Sequence, residues 1–229
     1  QLTHVQQSVK RLLDIALAAI GLVITAPVFI ASALAIKLQD RGPIFFRQVR
    51  TGLHGKPFVM LKFRTMVPDA ESRRDHLLSS NERRGPLFKM EHDPRRTKVG
   101  RLLESLSIDE LPNLINVLRG EMSIVGPRPA LPSEVEQFDE GLLARLNVPP
   151  GITGLWQVEA RDNPSFHAYR RLDIFYVENW SLTLDLAIIA GTIKTVLLRA
   201  FKRRMIGRTI AVAANGVDGT DGTQAMLNP

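Results

Sequence analysis

Cysteine is absent from the 229-residue chain, which excludes disulfides, thiolate metal sites and a cysteine nucleophile. The five histidines, at positions 4, 54, 76, 92 and 167, show no HxxH-like spacing, so the pattern offers no imidazole-based metal site. Aromatic residues make up only 6% of the chain, and the interleaved aromatics on which single-stranded nucleic acid stacks are missing. No Walker loop, GxGxxG pattern or EF-hand loop occurs, which removes nucleotide and calcium binding by those routes. There is no internal repeat. No cleavable signal is visible, because the N-terminal apolar run is long and lacks a small-residue cleavage site. A hard-cation site built from carboxylates stays open.

What is present is apolar and basic. With 45% hydrophobic residues, the chain can bury one sizeable core, or one core plus a membrane element, and is too short for several enzymatic domains. A formal net charge of +7 points to polyanionic partners: nucleic acid, anionic lipid or phosphorylated small molecules. The chain begins at Gln1 rather than Met, and whether a multi-span region precedes it is left open.

From Ile15 to Ile36 run twenty-two residues without a charge, which at about 1.5 Å per residue make roughly 33 Å of straight helix, enough to cross a bilayer core. A buried core helix is the plainer reading, but such helices seldom carry so long an uncharged run in a small protein. Pro27 sits near the middle, where it removes a backbone hydrogen bond and clashes with the preceding turn. Lys10 and Arg11 precede the run, and Lys37, Arg41, Arg47 and Arg50 follow it. Bases at both ends conflict with a simple crossing, since positive residues prefer the cytoplasmic side. A re-entrant helix that breaks at Ala26-Pro27 and returns to the same face satisfies both flanks, each half reaching about 18 Å deep.

The remaining pattern predicts an α+β fold, mainly helical. Ile44 to Val49 and Phe58 to Phe63 read as a short β-hairpin. Asp69 to Leu78 reads as a charged helix and Asn81 to Pro94 as a polar loop. Pro127 to Pro132 is a proline-dense connector, and Ser133 to Leu146 a helix opened by a Ser cap with Glu136 at the capping-box position. Pro149 to Gly154 must be a constrained turn, and Ser165 to Asn179 another helix. Leu182 to Leu198 is an apolar helix interrupted by Asp185 and Lys194 and followed by Arg199, Lys202, Arg203 and Arg204. It suits either an interfacial amphipathic helix on an anionic membrane or a core helix with a solvated basic end. Residues 1–205 are expected to form one catalytic domain containing a membrane hairpin at 10–40, with 206–229 a flexible tail.

The densest chemistry lies between Ser105 and Pro129. Asp109 and Glu110 precede apolar Leu111, Leu114, Ile115 and Leu118 at helical spacing, with Pro112 suited to a first turn. The bland reading makes Asp109 an N-cap and Glu110 a residue that complements the helix dipole. Basic clusters bracket the pair in sequence: Lys62-Phe63-Arg64, Asp93-Pro94-Arg95-Arg96, Arg101 and Pro127-Arg128-Pro129. Arg128 between two prolines has little backbone freedom and presents its fork in a fixed direction, which favours phosphate recognition. A phosphoryl group needs cationic donors and often Mg²⁺, and a carboxylate can attack phosphorus to give an acyl phosphate. Adjacent helical residues point about 100° apart, so a division of labour fits the two acids better than a shared-proton dyad.

These residues resemble the bacterial sugar transferases, monotopic polyprenyl-phosphate phosphoglycosyltransferases, over Lys10 to about Leu198. The resemblance is carried by Lys10-Arg11-Leu12-Leu13-Asp14, Gly42 to Gln48, Lys62 to Met66, Asp93-Pro94-Arg95, Asp109 to Pro112, Gly126 to Pro129, Pro150 to Gly154, and Trp156-Gln157-Val158. It implies that Asp109 attacks the β-phosphate of a UDP-sugar, releasing UMP and leaving a covalent sugar-phosphate that undecaprenyl phosphate then takes up. Glu110 would handle the acceptor's proton or orient Mg²⁺, with the metal held near Asp109. Lys62 and Arg128 match phosphate-binding positions, and Arg64, Arg95, Arg101 and Arg161 complete the candidate cationic set. The resemblance also implies a re-entrant helix, an anionic phospholipid surface as partner, the cytoplasmic face of the bacterial inner membrane, a role early in exopolysaccharide, O-antigen or glycoconjugate assembly, and no nucleic acid. A homodimer is left open.

Three positions depart from the pattern. Glu104 stands where an Arg is common, so Arg96 or Arg101 would have to substitute. Ala26-Pro27 replaces Ser-Pro, with Thr25 in reach of the missing hydroxyl's role, and Ala160-Arg161 replaces Gly-Arg. The rival functions are a basic membrane- or polyanion-binding protein without catalysis, and a phosphohydrolase using the same aspartate. The sugar is not legible; Glu104, Arg161 and His167 are the places to look.

Overall fold

A computed structural model describes residues 3–70, 72–73, 77, 90, 93–160 and 165–198. The expected helix at 69–78 and loop at 81–94 fall largely outside these residues, as do Arg161, the bases after 198 and the tail 206–229.

Helix α1 (His4–Asp40) opens on a capping box: the Thr3 hydroxyl accepts the Gln6 N–H at 3.3 Å, and the Gln6 side chain accepts the Thr3 N–H at 2.9 Å. It closes at Arg41, whose φ of 56° ends the helix with its N–H on the Lys37 carbonyl. The expected break at Pro27 is corrected at the level of secondary structure, because α1 is one continuous helix with Pro27 inside it. Proline removes a single i to i−4 bond, and the turns on either side keep theirs. The Thr25 hydroxyl donates to Gly21 O at 2.6 Å and Ser32 to Val28 O at 2.7 Å, back-bonds of a kind that bend helices.

Along α1, Lys10, Asp14, Ala18, Ser32 and Ile36 are buried. The other faces expose Leu12, Leu17, Ile20, Val23, Ile24, Ile30, Leu34 and Leu38. The helix is long and apolar enough to cross a membrane by length and composition. Both of its ends are fastened to one body. Near the start, Lys10 Nζ reaches Asp185 at 2.6 Å, and Asp14 accepts from the Ser123 hydroxyl at 3.0 Å and the Ile124 N–H at 2.9 Å. Near the finish, Asp40 pairs with Arg64, Gln39 accepts from Val99 N at 3.2 Å, and Ile36 packs with Phe63 and Leu103. Phe29 and Phe45 flank Phe63 at 4.7 and 5.7 Å between ring centres, within the range of favourable ring contacts.

Strands β1 (Phe45–Thr51) and β2 (Pro57–Phe63) form the expected antiparallel hairpin, pairing Phe46 with Lys62 and Thr51 with Pro57. After α2 (Lys98–Ser105) comes a 3-10 turn, Ile108–Glu110, and then α3 (Asn113–Arg119). The acids therefore precede α3 instead of beginning it, and Pro112 occupies the cap position. Strand β3 (Ser123–Val125) pairs in parallel with β4 (Gly151–Thr153), a two-stranded element that the constrained-turn reading did not contain. The backbones pass so closely that a Cβ on Gly151 would lie 2.1 Å from Gly126 N.

The expected helix from Ser133 to Leu146 is instead two short turns, α4 (Pro132–Val135) and α5 (Glu140–Leu143), followed by a 3-10 turn, Ala144–Asn147. Two local bonds cause the break. Glu134, not Ser133 or Glu136, closes the first turn by accepting the Leu131 N–H at 2.8 Å, and Asp139 starts a second by accepting Leu142 N at 2.9 Å. Helices α6 (Leu155–Glu159), α7 (Phe166–Glu178) and α8 (182–198) complete the described chain. On α8, Asp185 and Ile188 are buried while Leu182, Leu186, Ile193, Leu197 and Leu198 are exposed.

Candidate functional site

The hairpin and the 3-10 turn meet at Lys62. Its Nζ stands 2.8 Å from Glu110 Oε1 and 3.9 Å from Asp109 Oδ2, so one ammonium serves two adjacent carboxylates drawn from a segment 48 residues away. The Asp109 side chain is 13% exposed and that of Glu110 29%, leaving the second acid the more open to solvent. The ammonium offsets the repulsion between the two carboxylates, whose oxygens can serve as a nucleophile or a cation ligand.

Two devices hold that turn. Ser107, just before it, adopts the left-handed conformation at φ 57°, which costs a non-glycine residue about 1–2 kcal/mol. It reverses the chain between α2 and the acids. Asn116, fully buried in α3, accepts the Leu61 N–H at 3.0 Å and donates to Val59 O at 2.7 Å and Glu121 Oε2 at 2.7 Å. An amide side chain thus joins α3 to β2 beside Lys62 and fixes the register of the acids against the base. Sequence reasoning passed over Asn116, because the buried face of α3 is that of Asn113, Asn116 and Val117 and not the apolar stripe of Leu114 and Leu118, whose Leu118 is exposed.

The other candidate cations are placed differently. Arg64 is buried, paired with Asp40 and packed over Gly42, where a Cβ would meet its Nη1 at 2.7 Å. Arg95 is buried, with Nε and Nη2 on Asp93 and Nη1 on Ala70 O at 3.1 Å; its hydrogen bond holds the Asp93 carboxyl below the usual range. Both sit among structural partners. Arg101 is exposed on α2. Glu104, where the resemblance would have an Arg, pairs with Arg96 at 2.9 Å.

Arg128 is one-third exposed and lies 3.4 Å from Glu134 Oε2. Its loop is clamped from beneath by residues with no part in the initial candidate set. Arg145 Nη2 donates to Arg128 O at 2.5 Å, Arg50 Nη1 to Pro129 O at 3.1 Å, and Thr51 N to Ala130 O at 2.9 Å. Arg145 is buried between the rings of Phe138 and Tyr169, 5.4 and 5.0 Å away, and pairs with Asp173 at 2.8 Å. Burial pushes Asp173 up to about 6 despite the pull of Arg145, and raises the Tyr169 hydroxyl well above its ordinary value.

Beside Glu110 opens a cavity of about 180 Å³. Ser107, Leu111 and Leu114 line it from the acidic side, Ile152 and Thr153 from β4, Gln157 and Val158 from α6, and Thr192, Thr195 and Val196 from α8. Among the described residues no group of three or more His, Asp or Glu is placed to hold a metal. Two hard carboxylates side by side do suit Mg²⁺, which is commonly held by one or two protein carboxylates with substrate phosphates completing its shell.

The profile of the family described as bacterial sugar transferase matches residues 5–199. The chain is 45% identical over 190 residues to the galactosyl transferase CpsE of Streptococcus agalactiae, covering 82% of this chain and 42% of that protein. It is 41% identical over 193 residues to the exopolysaccharide production protein ExoY of Sinorhizobium fredii, covering 82% and 85%. It is also 41% identical over 196 residues to the UDP-glucose:undecaprenyl-phosphate glucose-1-phosphate transferase of Caulobacter vibrioides, covering 82% and 69%. The chain thus spans less than half of the first relative and most of the second.

Proposed function

The chain is a transferase belonging to the bacterial sugar transferase family, and from that premise we propose that it moves a sugar 1-phosphate from a UDP-sugar to undecaprenyl phosphate, yielding UMP and an undecaprenyl-diphosphate sugar. The observation that carries this reading is the Lys62 ammonium set against Asp109 and Glu110. In the first step a carboxylate oxygen of Asp109 attacks the β-phosphorus. The bond from that phosphorus to the bridging oxygen breaks, and UMP leaves with its electron pair. In the second step an oxygen of the lipid phosphate attacks the same phosphorus, the acyl-phosphate bond breaks, and the Asp109 carboxylate returns. Splitting the reaction means that the departing nucleotide and the lipid need not share the site.

The residues divide the work as their environments suggest. Asp109, the less exposed acid, is the nucleophile. Glu110, the more open one, takes the acceptor's proton. Lys62 offsets the repulsion between the two acids and offers a donor to phosphate oxygens as charge develops there. Arg128, on its clamped loop, adds a guanidinium fork for a phosphate. When bound, Mg²⁺ would neutralise phosphate charge, and Asp109 with Glu110 would hold it.

The long apolar helix α1 supports a membrane-associated protein, and our reading puts it at the cytoplasmic face of the inner membrane. Its exposed Leu, Ile and Val side chains suit lipid, and the fastening of both ends to one body supports a re-entrant course over a crossing. Helix α8 also exposes apolar side chains, which suits an interfacial helix. Incubating lipid-embedded protein with a panel of UDP-sugars and undecaprenyl phosphate, and following UMP release, identifies the donor. Asp109→Asn should abolish both UMP release and lipid product; normal turnover in that variant overturns the assignment.

A further inference from the structure

We propose that the cavity beside Glu110 seats the first isoprenoid unit of the acceptor lipid, the unit that bears its phosphate. This rests on the acceptor being a polyprenyl phosphate, as proposed above, and adds where its chain is held.

The lining decides the ligand class. Leu111, Leu114, Ile152, Val158 and Val196 supply apolar wall, and among the described residues neither a cation nor an aromatic ring lines the cavity. A nucleotide base would find no aromatic ring to stack on among the described lining residues. The threonines add little polarity: Thr192 donates to Ile188 O at 2.7 Å and lies 2.7 Å from the Thr153 hydroxyl, and Thr195 donates to Gly191 O at 2.8 Å. Their hydroxyls are satisfied within the fold, so they serve the cavity chiefly as small walls. Polar character is left to Ser107, Glu110 and Gln157, whose Oε1 is buried and finds no donor among the described residues.

Size and direction agree with that class. A volume of about 180 Å³ is enough for a branched five-carbon unit and far too small for a whole polyprenyl chain. Glu110 lines one wall, so a phosphate on the seated unit would meet the residue that takes its proton. Val196 lines another, on the helix whose Ile193, Leu197 and Leu198 are exposed, so the rest of the chain leaves along an apolar surface. The cavity grips the head of the lipid while the tail stays outside.

The test separates acceptor from donor. Val196→Phe and Thr195→Phe fill the cavity from two neighbouring positions on a half-buried helix face. Each should raise the KM for undecaprenyl phosphate by about tenfold or more and leave the KM for the UDP-sugar within about twofold. An unchanged acceptor KM in both folded variants overturns the inference, as does a rise confined to the donor KM, which would make the cavity a sugar seat. The wild-type protein gives a measurement that folding cannot confuse. Dimethylallyl phosphate should compete with undecaprenyl phosphate, while methyl phosphate at the same concentration should not; equal inhibition by the two also overturns it. A wild-type protein that forms no lipid-linked product from any UDP-sugar would instead sink the proposed function itself.

Discussion

Arg145 holds Arg128 by the backbone. The buried guanidinium donates to the carbonyl of the exposed one's residue, while Asp173 and two aromatic rings fix Arg145 in turn. The direction in which Arg128 points is therefore set by a buried ion pair as much as by the prolines beside it.

Arg145→Ala should destabilise the protein by about 3–5 kcal/mol, because it strands the Asp173 carboxylate in the core. Arg145→Lys keeps the charge and loses the fork. It should fold with a lowered melting temperature and release UMP more slowly than the wild type. Thermal unfolding and turnover of the two variants, compared side by side, check both statements.

Replacing Lys62 by Met removes the cation between the acids while keeping a long, unbranched side chain. Turnover should fall by roughly 10²-fold or more, the scale seen when a donor to developing charge is lost. Lys62→Arg should recover part of it. Steady-state UMP release by the three proteins measures the ordering.

Asn116→Leu should cost about 1–3 kcal/mol, since the Leu61 N–H and Val59 carbonyl then lose their partners in the interior. It should also lower kcat, because α3 no longer fixes the acids against Lys62. Denaturant unfolding gives the first quantity and turnover of the folded fraction the second.

The pH dependence of stability has a predictable sign in mild acid. Asp173 titrates near 6 in the folded protein against 3.8 ordinarily, so between those values the folded state binds more protons than the unfolded one. Its contribution to stability therefore falls as pH rises from about 4 to 6, then levels off. Asp93, held low by Arg95, acts in the opposite sense below pH 3.8, where stability is lost as pH falls through its lowered value. Asp173→Asn should flatten the profile between pH 4 and 6, as read by chemical denaturation at successive pH values.

Much of this was legible locally. The hairpin announced itself through two β-rich runs around Gly52 and Gly55, and the acids and bases stood out by type. What local pattern could not carry was who meets whom. Lys62 and Glu110 are joined by tertiary packing through Asn116, and no periodicity encodes that. Strands β3 and β4 are three residues each, too short to alternate visibly. The helix expected at 133–146 failed because the caps offered by Glu134 and Asp139 outcompeted one long run. Pro27 lies within a continuous helix, since one missing hydrogen bond does not end a helix whose neighbouring turns are intact.

The fastening of α1 near both ends has a mechanical consequence. A helix tied at one end can swing; one tied through Asp14 and Lys10 at one end and Asp40 and Ile36 at the other cannot pivot without tearing buried contacts. The exposed apolar helix and the acids then travel as a single rigid piece. In the membrane setting proposed above, the height of Asp109 above the acyl chains would be a fixed dimension of the protein, like the reach of a tool, and an acceptor lipid would need only to diffuse in two dimensions to arrive at the correct depth.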